Sequence, residues 1–263
     1  MFDEGIDKAA VAVSAKRLRG YEIDAVPVGR SRSFSTPEDT IDAPDRASIV
    51  GEGVLAFTAN LDAQNQEDIL HAFLFSSLVA NKAFPLESQG KEWYYQFVEV
   101  MHDAGWVASQ KFYSDLSVGG SSVRMDQLVL EVLGAVVAGM AVPGSASVLM
   151  LKVAGDAINA LKKRETALTL YERNMLEHGV GGMSTGTCTE VNGEVTIALG
   201  TVRFIRKNTS AKVLFVDWDS REVKLYRGES VFRKVPSLVE QNREYIREKL
   251  GANSKRKIES YEI

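Results

Sequence analysis

The sequence predicts an α+β fold: a helical layer with a buried apolar helix pair, packed on a largely antiparallel β-meander. Three observations predict it. Apolar residues recur at three- and four-residue spacing up to about residue 177, they alternate at two-residue spacing after it, and Asn192-Gly193 marks a tight turn between alternating runs. Of 263 residues, 45% are hydrophobic and 25% are charged, which is enough apolar matter for a sizeable core. We read a polar segment over 1–50, a single domain over 51–251 and a polar tail over 252–263.

Within 1–50, the stretch Gly29 to Ser48 is rich in Ser, Thr, Asp, Arg and Pro and reads as an extended linker. Asp62 can cap a helix reaching Ala83, with Ile69, Leu70, Phe73, Leu74 and Leu78 on one face. Ser88 opens a second helix carrying Trp93, Tyr94, Phe97, Val100 and Met101 inward, and Gly105 stops it. Trp106 to Leu116 reads as a strand. The aromatic cluster of Trp93, Tyr94, Tyr95, Phe97, Trp106, Phe112 and Tyr113 suits a core more than a ligand site.

From Val132 to Leu151, twenty residues carry no charge. That length reaches across a bilayer, but Pro143-Gly144 interrupts it and Glu131 and Lys152 flank it. We expect two buried helices, the second capped by Ser145 and extended toward Glu177. The small residues Gly134, Ala135, Ala138 and Gly139 are expected to admit a close neighbour. Beyond Asn192-Gly193, Val195, Ile197 and Leu199 alternate, Lys212–Trp218 and Glu222–Tyr226 continue the meander, and Pro236 opens a last helix ending at Gly251.

A net charge of −4 and scattered basic residues give no field that favours nucleic acid. The run Lys255-Arg256-Lys257 reads as a solvated end. Met1-Phe2-Asp3-Glu4 lacks an apolar h-region, so we expect synthesis in the cytoplasm without a classical signal, with release or membrane association left open.

No motif fixes a reaction. Gly182-Met183-Ser184-Thr185-Gly186 matches G-x-S-x-G, but the order here is helix, loop, strand, and no histidine follows it. The glycine run Gly179–Gly182 sits at a helix C-terminus, where the dipole repels phosphate. His71, His102 and His178 have no ligand spacing, so neither a metal nor a motif-borne catalytic set is expected. Asp217-Trp218-Asp219 lacks the rest of a calcium loop.

Cys188, the single cysteine, leaves two readings. A free cysteine is commonly a small buried hydrophobe. Alternatively its thiolate carries an acyl chain, with room beside Gly186, Ala198 and Gly200 and with the apolar helices as walls. Trp93-Tyr94 with Gly105-Trp106, the apolar helical pair after Ser122, and Gly181-Gly182-Met183-Ser184-Thr185-Gly186-Thr187-Cys188 before a hairpin together resemble the Erwinia virulence factor family. The resemblance spans roughly Val54 to Leu250 and implies an α/β fold and a bacterial factor promoting persistence in an insect host. It also implies a palmitate held as a thioester on Cys188, taken from a fatty acid or acyl donor. Leu133, Val137, Leu149, Val153 and Leu199 are the expected lining of the acyl cavity, and a host membrane is an expected partner. Two other classes stay open: a pore-forming toxin that inserts the apolar pair, and an enzyme whose site converges around His102 or His178.

Overall fold

Two-residue alternation in the strands divides their side chains between two apolar clusters, and helices cover both. A computed structural model describes residues 8–23, 46–176, 181–206, 212–251 and 258–262. Its elements are α1 (Lys8–Gly20), β1 (Arg46–Val50), β2 (Gly53–Phe57), α2 (Ala63–Ala83), a short 3₁₀ turn (Glu87–Gln89), α3 (Gly90–Asp103), β3 (Trp106–Leu116), β4 (Ser122–Arg124), α4 (Met125–Ala138), α5 (Gly144–Lys163), α6 (Glu165–Leu176), β5 (Gly182–Val191), β6 (Glu194–Arg206), β7 (Asp217–Asp219), β8 (Val223–Lys234), α7 (Pro236–Leu250) and β9 (Ile258–Glu262). The main sheet runs β3-β8-β6-β5-β2-β1-β9, and β4 pairs with β7 in a small second sheet. Its pairings are antiparallel except β2 with β5, which is parallel. The fold is therefore α+β.

One face of the sheet presents Leu55, Phe57, Cys188, Ile197, Leu199 and Phe232 to α2, α3 and α7. The other presents Ile49, Val54, Ala56, Met183, Val202 and Phe204, with Ala198 and Val231, to α4, α5 and α6. Asp62 caps α2, its carboxylate accepting from the Asn65 amide at 2.6 Å. Trp93, Tyr94, Phe97 and Trp106 are buried, whereas Tyr95 and Phe112 are exposed. The Asn192-Gly193 turn has φ of 54° and 77°, the type I′ pattern.

Several expectations are corrected. In the segment before residue 51, Lys8–Gly20 is helical, Leu18 is fully buried, and Ser14 and Tyr21 donate to the Asp103 carbonyl and carboxylate, while the linker expected from Gly29 lies, up to residue 45, outside the described residues. The polar tail holds β9, which pairs with β1. The second apolar helix stops at Lys163, because Arg164 leaves the helical region at φ −120°, ψ 86°, and α6 begins afterwards. Ser145 makes no cap; Pro143 occupies that position without a side-chain bond. Ala135 and Ala138 are exposed and Gly134 faces open space, so they admit no close neighbour; only at Gly139, past the helix end, does one come near, the Gln110 amide 3.4 Å from where a Cβ would stand. The close approach occurs at Gly200 instead, where an added Cβ would lie 2.6 Å from the Leu133 nitrogen. The stretch 212–218 leaves the main sheet, and β7 pairs only with β4.

Candidate functional site

Cys188 sits near the middle of β5, paired with Phe57 on one side and Ile197 on the other. Its side chain is fully buried in the cluster under α2 and α3, and burial pushes the thiol far above its ordinary value. The Cys188 carbonyl is held by the Thr58 amide at 3.0 Å and the Thr58 hydroxyl at 3.1 Å. A neutral thiol in this setting is a poor nucleophile.

The expected acyl lining does not converge on it. Leu133 and Val137 of α4 and Val153 of α5 lie on the opposite face of the sheet, where they pack with Ala198, Val231 and the α4–α5 layer. Leu149 is 41% exposed. Only Leu199 shares the face of Cys188, and the space beside Gly186 is taken by the Leu55 and Leu199 side chains, 2.6 and 3.2 Å from where a Cβ would stand. Strand parity explains the mismatch: residues one apart face opposite layers, so Cys188 and the α4–α5 pair are separated by the sheet.

Of the three histidines, His71 and His102 fall among the described residues. His102 is half-exposed, 3.7 Å from Asp103, whose other oxygen accepts from Tyr21 at 2.9 Å. His71 lies 3.9 Å from Glu67 on the same helix, and burial holds it below its ordinary value. His178 lies outside the described residues. Among the described residues, no three His, Cys, Asp or Glu side chains gather as metal ligands would.

Two features went unpredicted. One is the tip of the α4–α5 hairpin. Val148, Leu149 and Leu151 project from α5 at 69%, 41% and 39% exposure, and Ala135, Ala138, Gly139, Ala141, Pro143, Gly144 and Ser145 around them are also exposed. No charge interrupts this surface between Glu131 and Lys152. The sequence signal for it is the charge-free run Val132–Leu151, whose α5 part is only partly core. No single helix among the described residues is long and apolar enough to cross a membrane; α2 and α3 pass only as a pair bent by 118°, and both line the core.

The other is a groove of about 790 Å³ beside that tip. It lies at the end of the sheet, lined by Val195 from the Cys188 face, by Thr196, Val231 and Arg233 from the other face, and by residues 139–142. Arg233 is bound by both oxygens of Glu194, at 3.0 and 2.8 Å, and Lys234 by Asn65 at 2.5 Å and Asp68 at 3.3 Å. The Arg233 Nε is buried and has no hydrogen-bond partner among the described residues.

No family model matches the chain, and no curated protein matches it. Among solved structures it is similar to a delta-endotoxin at 11% identity, covering 81% of this chain and 92% of that one, with a TM-score of 0.36. A likeness of that size carries no argument here.

Proposed function

We propose that this protein acts at membranes and that the α4–α5 tip is the part that meets lipid. The observation that supports the reading is the uncharged exposed surface bearing Val148, Leu149 and Leu151. Fully burying such a side chain contributes about 1.5–3 kcal/mol, so three partly exposed ones supply a few kcal/mol on entering lipid. The surrounding Gly, Ala, Ser and Pro residues bring no charge to desolvate. Cosedimentation with liposomes tests it. The intact chain is expected to bind, and Val148→Asp with Leu149→Asp is expected to weaken binding at least tenfold while circular dichroism stays unchanged. Equal binding by chain and variant, or binding by neither, rejects the reading.

A second reading is palmitoylation of Cys188, supported by the family resemblance and by the wholly apolar surroundings of the sulfur. The chain would lie under α2 and α3, not between α4 and α5, and Leu55 or Leu199 would have to move. The sulfur would bond to the acyl carbonyl carbon as the bond to the donor's leaving group breaks, and the thiol proton would end on that leaving group. Intact mass before and after neutral hydroxylamine tests it. A hydroxylamine-labile acyl mass on protein from its native producer is the expected result, and an unmodified mass rejects it.

A further inference from the structure

We propose that two copies of this chain join edge to edge through β3, in one antiparallel register. β3 is an outer strand of the main sheet, and among the described residues only β8 pairs with it. It spans 11 residues, about twice the usual strand length. Ser109, Gln110, Lys111 and Phe112 along it are exposed. The backbone N–H and C=O groups of its outer edge can therefore receive a further strand. The other outer strand, β9, offers only five residues.

The charges on β3 select the partner. A lysine on a sheet edge usually blocks pairing, because an incoming strand leaves it without an opposite charge. Here Lys111 and Asp115 face the same side of the sheet, since their β8 partners Ser230 and Tyr226 share the parity of the buried Phe232. Both are exposed, and neither forms an ion pair with the described residues. A two-fold axis through the sheet keeps the faces of the two copies matched, so each residue meets one of its own parity. One such register sets Lys111 of each copy opposite Asp115 of the other, with the axis at Tyr113. Centring the axis on Lys111 or on Asp115 instead sets like charges against each other. In the matched register residues 110–116 pair throughout, Tyr113 meets its own copy, and Phe112, 45% exposed, lies diagonal to its counterpart within aromatic reach. The strand is thus complementary to itself, and the match is made twice.

The test uses the full chain and no lipid, so it stands or falls separately from membrane binding. Sedimentation velocity is expected to show a species of twice the chain mass that grows with protein concentration. Lys111→Asp and Asp115→Lys, each alone, set like charges opposite each other and are expected to weaken the dimer about tenfold. The double exchange, Lys111→Asp with Asp115→Lys, restores opposite charges in this register and is expected to recover the dimer. Both positions are exposed, and an unchanged circular dichroism spectrum verifies that each variant folds. A monomer at every concentration, a dimer indifferent to the single exchanges, or a double exchange that fails to recover it overturns the proposal.

Discussion

Cys188 is the residue on which sequence and structure part most clearly. Its uniqueness and its glycine-flanked strand were legible, but the face it occupies depends on register with β2 and β6, which lie far away in sequence. The consequence is measurable. A serine there places a hydroxyl among Phe57, Ile197 and Leu199 with no partner in the cluster, so Cys188→Ser is expected to cost about 1–3 kcal/mol in urea unfolding. It is not the silent exchange that similar size suggests. A cost under about 0.5 kcal/mol would place the sulfur beside water or free space instead. Arg203 is a second residue that no pattern signalled. It is buried, its guanidinium lies 3.3 Å from the Trp93 ring centroid, and it pairs with Glu52 at 3.4 Å. Burial holds it below its ordinary value, at about 10. Removing one partner of such a pair leaves an uncompensated charge, so Glu52→Ala is expected to cost about 3–5 kcal/mol.

Among elements, α2 was readable from its Asp62 cap, α3 and α7 from periodicity and the Asn192-Gly193 hairpin from turn chemistry, all of them local, although Ser88, expected to open α3, lies in the 3₁₀ turn and α3 starts at Gly90 with no side-chain cap. β1 and β2 were not. Each has only five residues, and the burial of Gly53–Phe57 on both faces erases the alternation that marks a strand. The break between α5 and α6 was also hidden, since the apolar spacing continues across Arg164 and only the backbone turns. In the α4–α5 pair the small residues were assigned to the wrong surface. Ala138→Leu is therefore expected to change stability by less than about 0.5 kcal/mol, because the position is exposed. Gly200→Ala is expected to cost about 1–3 kcal/mol by pressing a methyl against the α4 backbone at Leu133. Unfolding curves that reverse this order would mean that α4 does not sit on β6 as described.

For the whole molecule, the layered α+β arrangement followed from patterning, while the ties between layers and sheet ends are long-range and left no trace in the sequence. The strongest such tie centres on Asp68 of α2. Its carboxylate is almost fully buried and accepts from Arg243 of α7 at 2.7 and 2.8 Å and from Lys234 at the end of β8 at 3.3 Å. Burial alone would raise its pKa, but the Arg243 bonds and the Lys234 charge outweigh burial and hold it below the ordinary 3.8. One turn further along the helix, burial holds His71 below its ordinary 6.5. Both shifts act in the same direction on acidification, since in each case the unfolded chain takes up the proton first. Stability contributed by His71 is complete above 6.5 and declines as pH falls through its lower folded value. That from Asp68 is complete above 3.8 and declines below it. Urea unfolding followed from pH 8 down to about pH 3 is expected to show both losses in turn. His71→Gln should remove the first. Asp68→Asn should lower stability at neutral pH, because Arg243 and Lys234 lose their partner, yet flatten the second. A stability that stays constant to the acid end, or an acid loss that both variants leave unchanged, would show that the α2–α7–β8 junction does not carry the pH response.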